Sequence, residues 1–148
     1  MDYPNTREIH RQKRDLSRYR QRGNSLRFLR FWFPVFIYCG IIFGVSAIPS
    51  VKLPLALPHL DKFVHAVEYA LLAGLLARAV INTNKQAWFP LVWAIAVFFV
   101  AFYGLTDEFH QSFVSGRSSD LDDWMADVVG GIIGATLYLL MKIRNPKF

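Results

Sequence analysis

Three ionisable residues follow one another where an apolar segment begins near residue 60. Asp61, His65 and Glu68 are spaced i, i+4 and i+7, so a helix places them on one face. A histidine beside a carboxylate can act as a general acid and base, which makes His65 and Glu68 candidate catalytic residues. The same groups are ligands for divalent cations, but no HExxH spacing is present and the sequence identifies no metal or other cofactor.

A second polar segment follows the third apolar stretch. Glu108 and Gln111 are i, i+3 neighbours beside Asp107, and only one of the two acids is expected to face inward. Arg117 is the one cation of this segment and stands among five acids, Asp107, Glu108, Asp120, Asp122 and Asp123. Its planar guanidinium suits a carboxylate or a phosphate, so Arg117 and Gln111 are candidate substrate-binding residues.

The last helix is expected to begin near Asp120. Residues 118–120 supply candidate N-caps, and acids in a first turn are favoured by the helix dipole. Capping does not readily explain Asp127, which lies one turn beyond Asp123 on the same face. Asp123 and Asp127 are therefore candidate binding residues that orient Arg117 or a bound cation. Asp61 is a further candidate substrate-binding residue.

The composition excludes two classes of protein. With 53% hydrophobic residues and a single cysteine, the chain is neither a disordered tail nor a disulfide-built secreted domain. Cys39 is expected in the core. Ala126, Gly130 and Gly134 form a small-xxx-small pattern, which is typical of a close helix contact in a membrane.

Long apolar segments have to position these side chains. Residues 31–51 and 87–106 contain no formal charge, and each matches the roughly 20 residues that cross a bilayer core as a helix. Residues 63–81 and 124–141 are also largely apolar. A soluble bundle would need more than 19% charged residues, and a signal peptide would have a shorter apolar region. The sequence therefore predicts an all-α polytopic membrane protein with a four-transmembrane-helix bundle in residues 31–148.

The basic residues predict which way the bundle faces. Residues 1–30 carry nine Lys/Arg and three Asp/Glu, which accounts for the whole net charge of +6. An N-in/C-in topology places 14 Lys/Arg on the cytoplasmic side and three outside, as the positive-inside rule expects. The polar helix ends would then form an acid-rich pocket at the outer leaflet of the inner, cytoplasmic membrane.

The basic arm, residues 1–30, is interpreted as a cytoplasmic orientation signal. Gly23, Asn24 and Ser25 are expected to break any helix that forms before the first span. Anionic lipid headgroups fit the arm as a partner, because Lys and Arg near a membrane surface are attracted to them. No nucleic-acid partner is predicted, since neither interleaved aromatic residues nor a binding module accompanies the charge.

Two stretches carry the most distinctive motifs, DKFVHAVEYALLAGLL from Asp61 and TDEFHQSFVSGRSSDLDDWMADVVGGIIG from Thr106. Together they resemble the VanZ-like family of small bacterial membrane proteins over residues 52–141, with the long basic arm as a departure. Through its Glu-x-x-Gln pair the resemblance selects Glu108 as the inward acid. It implies a membrane-embedded fold with a cell-envelope connection. The name-giving member is linked to low-level teicoplanin resistance, and the family has no established reaction.

The leading hypothesis is a multi-pass inner-membrane protein whose outer-leaflet pocket binds or modifies an envelope lipid or lipid-linked glycan precursor. His65 with Glu108 or Glu68 would handle protons, and the activity would affect glycopeptide or envelope-stress tolerance. One alternative is a non-enzymatic membrane adaptor whose polar cluster is a structural salt-bridge network. Another is a small-solute carrier, which with four spans would need an oligomer. The sequence leaves open whether any reaction is catalysed.

Overall fold

A computed structural model describes residues 6–49, 60–84 and 86–146 of the chain. Four helices make up this part, and it contains no strand: α1 (Thr6–Ser46), α2 (Leu60–Thr83), α3 (Phe89–Gln111) and α4 (Leu121–Arg144). All four are long and apolar enough to cross a membrane. The predicted all-α, multi-pass architecture is confirmed. Lys52 and Lys85, which are among the basic residues counted for the topology, lie outside the described residues.

The first helix differs from its prediction at the junction between arm and span. α1 runs without interruption from Thr6 to Ser46, so the expected break at Gly23, Asn24 and Ser25 is wrong. One glycine costs a helix only about 1 kcal/mol relative to alanine. The Ser25 hydroxyl donates to the carbonyl of Gln21, 3.1 Å away, and so stays within the helical pattern. With 41 residues α1 is about 60 Å long, twice the roughly 30 Å of a bilayer core.

Helix α2 lies at the centre of the bundle. It packs against each of the other three helices, whereas α1 and α4 make no contact with each other within the described part of the chain. The closest contact joins α2 to α4, where a Cβ atom at Gly130 or Gly134 would overlap the carbonyl oxygen of Ala66 or Ala70. The close helix contact predicted from the small-residue pattern is therefore confirmed.

The apolar core lies mainly between α2, α3 and α4, and Val35 and Ile42 of α1 are buried against it. Leu72, Leu76, Val92 and Val100 are fully buried, while many large apolar side chains on the outside of the bundle are exposed. Such an exterior fits a lipid environment, in which apolar surface carries no penalty. Cys39 packs against this core from α1 in a half-buried position, in agreement with its expected core role.

Candidate functional site

Four helix termini meet at one end of the bundle, here called the polar end: the C-termini of α1 and α3 and the N-termini of α2 and α4. Two sets of polar side chains lie there. We call His65, Glu108 and Asp127 the acid–histidine group, because they join α2, α3 and α4. We call Asp107, Gln111 and Arg117 the arginine group, which links α3 and the following loop to α1.

The acid–histidine group is built around a close pair. His65 Nδ1 lies 2.9 Å from Asp127 Oδ1. Asp127 is 0% exposed and Glu108 is 3% exposed, so both carboxylates are enclosed by the helices. One ligand atom from each of the three residues lies within 4.8 Å of the others. A histidine and two carboxylates at this spacing can exchange protons or coordinate a cation.

Lys62 lies beside the acid–histidine group and links two acids near the start of α4. Its ammonium donates to Asp123 Oδ1 at 2.9 Å and to Asp120 Oδ2 at 3.2 Å. The backbone N–H of Asp120 in turn donates to Glu108 Oε2 at 2.7 Å. Lys62 was not among the predicted site residues, because a lysine next to an acid at a helix start looks like an ordinary surface pair.

Asp120 begins α4 as its N-cap. Its side chain accepts from the backbone N–H of Asp122 at 2.9 Å, as the capping prediction required. This hydrogen bond, and then the Lys62 ammonium, hold the pKa of the Asp120 carboxyl below its usual value. The cap thus keeps a negative charge beside Lys62 and fixes the backbone that holds Glu108.

Several buried oxygen atoms of the polar end have no hydrogen-bond partner among the described residues. They include Glu108 Oε1 and Asp127 Oδ2 of the acid–histidine group, Asp107 Oδ1 and the Tyr69 hydroxyl. The Tyr69 ring lies parallel to the His65 imidazole, with 6.5 Å between the ring centroids. Buried polar atoms are rarely left unpaired, so these atoms mark a place where a ligand, an ion or water completes the structure.

The arginine group is a hydrogen-bonded chain. Gln111 Nε2 donates to Asp107 Oδ2 at 2.8 Å, and its Oε1 accepts from Arg117 Nη1 at 3.2 Å. Arg117 also donates to the carbonyls of Ile48, at 3.0 Å, and Val45, at 3.3 Å. The Val45 carbonyl is in the last turn of α1 and also accepts from the Ile48 N–H at 3.1 Å, while Ile48 lies two residues after the helix. Arg117 therefore ties the end of α1 to the loop after α3.

Two expectations about the acids of this end are wrong. Asp107 is 5% exposed and as enclosed as Glu108, although only one of them was expected inside. Neighbouring helical residues point about 100° apart, and α3 has partners on both sides. The expectation that Asp123 and Asp127 orient Arg117 is also wrong, because they lie against Lys62 and His65 while the loop turns Arg117 toward α1. The other alternative, that they orient a bound cation, stays a prediction.

The structure separates the three residues predicted on one face of α2. His65 enters the acid–histidine group, whereas the Asp61 side chain is 63% exposed and reaches only Lys62, at 3.8 Å. Glu68 is half-buried and within electrostatic range of His65, Asp107 and Arg117. It makes no side-chain hydrogen bond to another described residue. Asp61 thus lies at the rim of the polar end and Glu68 between its two groups.

Sequence reasoning missed Gly104. A Cβ atom at this position would lie 2.7 Å from Asp127 Oδ2, so the missing side chain of α3 makes the room that the carboxylate occupies. The available signal was a glycine one turn before Glu108 in a span of otherwise larger residues. Such a signal is weak, because glycines are common in membrane helices.

Four long apolar helices, with ionisable side chains gathered at one end, define a multi-pass helical membrane protein. The VanZ/LLP1 family matches residues 5–142, nearly the whole chain, and the chain belongs to this family. The match begins within the basic arm, so the arm is part of the family pattern and not a departure from it. No curated protein matches the chain, and no solved structure does.

Proposed function

We propose that this VanZ-type membrane protein binds or modifies an envelope lipid or a lipid-linked glycan precursor at its polar end. The observation that carries the proposal is the set of buried, unpartnered carboxylate oxygens around His65. Buried ionisable groups at membrane depth are costly, and functional sites are where such a cost is retained. The activity would affect tolerance to glycopeptides or to envelope stress.

Within this proposal His65 is the group that moves a proton. Asp127 accepts the His65 Nδ1 hydrogen and fixes the ring, so that Nε2 is the nitrogen left for a substrate. Glu108, with one oxygen held by the Asp120 N–H, is the second acid or base, and Glu68 is the alternative in that role. Arg117 has five N–H donors, of which three are engaged, so two remain for a phosphate or carboxylate.

The orientation that we propose is N-in/C-in in the inner membrane, with the polar end at the outer leaflet. The distribution of 14 Lys/Arg on one side and three on the other supports it. The length of α1 also supports it, because about half of the helix exceeds the bilayer core and carries the basic residues. Several arm side chains, among them Arg11, Arg14 and Arg18, are exposed and suit anionic lipid headgroups.

The orientation is tested by labelling intact cells with a membrane-impermeant maleimide. Ser119→Cys and Ser25→Cys are introduced separately in a Cys39→Ala background, since both serines are exposed and outside the proposed site. Position 119 is expected to be labelled from outside and position 25 only after lysis. The reverse pattern would place the polar end in the cytoplasm and exclude an outer-leaflet substrate.

The function is tested with single substitutions in cells. His65→Gln, Glu108→Gln and Asp127→Asn are compared with wild type for membrane accumulation, co-purified phospholipids and lipid-linked precursors, and teicoplanin tolerance. Normal accumulation with loss of a co-purified lipid and of tolerance is the expected result. His110→Gln and Asp122→Asn are matched controls, because both residues lie on the same helices outside the acid–histidine group.

A structural salt-bridge network makes a different prediction for the same variants. If the polar end only locks the bundle, each substitution lowers accumulation, and any loss of tolerance follows the amount of protein. Deletion of residues 1–24 tests the alternative that the protein is a membrane adaptor that acts through its basic arm. Retained tolerance with correct orientation would show that the arm does not carry the function.

A further inference from the structure

The acid–histidine group brings one ligand atom from each of three helices to a single place. The nitrogen of His65 and the oxygens of Glu108 and Asp127 are within 4.8 Å of one another. Tetrahedral zinc ligands, each about 2.0–2.1 Å from the metal, lie about 3.4 Å apart. Small side-chain rotations would therefore close these three atoms around an ion.

The charges of the group are unbalanced without a second positive charge. Glu108 and Asp127 are both almost completely buried, and the one cationic partner that either side chain has in the described structure is His65. Lys62 is already held between Asp123 and Asp120. An unpaired charge in apolar surroundings is unfavourable, whereas a divalent cation balances two carboxylates and leaves His65 as a neutral ligand.

The free oxygen atoms of the two acids are an independent sign of a ligand. Glu108 Oε1 and Asp127 Oδ2 have no partner among the described residues, although both side chains are more than nine-tenths buried. His65 and Asp127 share a hydrogen bond of 2.9 Å, which they would give up when both bind the same ion. The other oxygen of Glu108, Oε2, is fixed by the Asp120 N–H. Supporting hydrogen bonds of this kind orient carboxylates that bind metals.

We propose that His65, Glu108 and Asp127 bind a divalent cation, and that the cation is Zn²⁺. An imidazole ligand favours Zn²⁺ over Mg²⁺ and Ca²⁺, which prefer all-oxygen sites. Three protein ligands leave the fourth tetrahedral position for water or for an anionic group of a bound molecule. The cation site does not depend on which lipid, if any, the protein binds. In the zinc-bound form His65 and Glu108 are ligands and do not act as the acid and base proposed above.

The test uses the full chain, purified in detergent with any affinity tag removed and stripped with a chelator. It is dialysed against Zn²⁺ and, separately, Mg²⁺ or Ca²⁺, and bound metal is measured by elemental analysis. One zinc ion per chain is expected, with a higher unfolding temperature in zinc and no retention of the other two ions. His65→Gln and Glu108→Gln should each weaken zinc binding by about 100-fold or more. Loss of a residue that only supports a ligand has an effect of up to about this size, and here the ligand itself is lost.

Two controls separate this site from adventitious binding. His110→Gln removes a histidine of α3 whose ring stacks on Phe43, and Asp122→Asn removes an exposed acid of α4. Both should bind zinc as wild type does. A folded wild-type chain that retains no zinc overturns the proposal, and so does an unchanged affinity in Glu108→Gln. Zinc retention by the wild-type chain tests the proposal even if a variant misfolds. Its outcome does not change the interpretation of the lipid test under the proposed function.

Discussion

The arginine group and the acid–histidine group lie at the same end of the bundle but differ in how many of their polar atoms are hydrogen-bonded. In the arginine group, Arg117 donates to the Val45 and Ile48 carbonyls and to Gln111, and both ends of the Gln111 amide are engaged. One oxygen of this group, Asp107 Oδ1, has no partner among the described residues. In the acid–histidine group, each of two enclosed carboxylates keeps an oxygen without a partner among the described residues. Composition alone does not separate the groups, since both combine acids with a basic residue.

The difference indicates that the two groups have different roles. A chain of hydrogen bonds that runs from Asp107 to the carbonyls at the end of α1 and just beyond it fastens α1 to the loop after α3, which is a structural task. Carboxylates enclosed without partners lower stability, and such a cost persists where a site needs it. We therefore regard the arginine group mainly as a structural link, with two Arg117 donors left for a bound anion, and the acid–histidine group as the cation site.

The largest effect is expected from a substitution that forces α2 away from α4, because the acid–histidine group needs both helices. Gly130→Leu would place a side chain into the Ala66 carbonyl and separate His65 from Asp127. We expect a loss of stability at or above the usual 1–3 kcal/mol or so of core overpacking, and loss of membrane accumulation. Gly40→Leu is the control, because nothing lies within 4 Å of a Cβ there. Wild-type accumulation of Gly130→Leu would contradict the close helix contact.

Removal of the Arg117 donors tests the structural role of the arginine group. Arg117→Gln removes the hydrogen bonds from the guanidinium to the Val45 and Ile48 carbonyls, and one such hydrogen bond contributes about 0.5–1.5 kcal/mol. Because Arg117 is half-buried, we expect the lower end of that range, measured by thermal unfolding in detergent. Zinc affinity should stay unchanged. Arg144→Gln, an exposed residue at the opposite end, should alter neither quantity.

A methyl group at Gly104 tests the acid–histidine group without removing any of its ligands. Gly104→Ala pushes against Asp127 Oδ2, so we expect zinc binding to weaken about 10-fold while the protein still accumulates. Gly74→Ala is the matched control, since its Cβ would meet only the Gly134 carbonyl, at an ordinary 3.9 Å. Equal zinc affinity in Gly104→Ala and wild type would argue against Asp127 as a ligand.

The smallest expected effect is on the pH dependence of stability and concerns Asp120. This residue accepts from Lys62 through its side chain and donates to Glu108 through its backbone N–H. Its pKa is lower in the folded chain than the usual 3.8, so its contribution to stability is present above that value. The contribution is lost as the pH falls through the lowered pKa. Asp120→Asn keeps the N-cap but not the charge, so acidification from about pH 5 to about pH 3 should destabilise wild type more than the variant. An equal loss in both would exclude this contribution.

Local periodicity was enough to predict much of this architecture. Apolar length predicted four helices, and the i, i+4 spacing predicted that Asp123 and Asp127 share a face. The spacing of Gly130 and Gly134 predicted a close crossing of two helices. These features follow from one helix at a time, because the period of a helix decides which side chains share a face.

The remaining features depend on contacts between distant segments. Arg117 meets carbonyls of α1 that lie about 70 residues earlier in the chain, and no local pattern predicts that distance. The burial of both Asp107 and Glu108 depends on partners on two sides of α3. The room that Gly104 leaves for Asp127 exists only once α3 and α4 have packed.

The most direct test of the central claim compares the unfolding temperatures of Glu108→Gln and Arg117→Gln with wild type, all in the presence of a chelator. Gln at 108 can still accept the Asp120 N–H, and it removes an enclosed negative charge. A ligand site predicts that Glu108→Gln is at least as stable as wild type, while Arg117→Gln is less stable. Destabilisation of Glu108→Gln to the same extent as Arg117→Gln would contradict the account and make both groups structural.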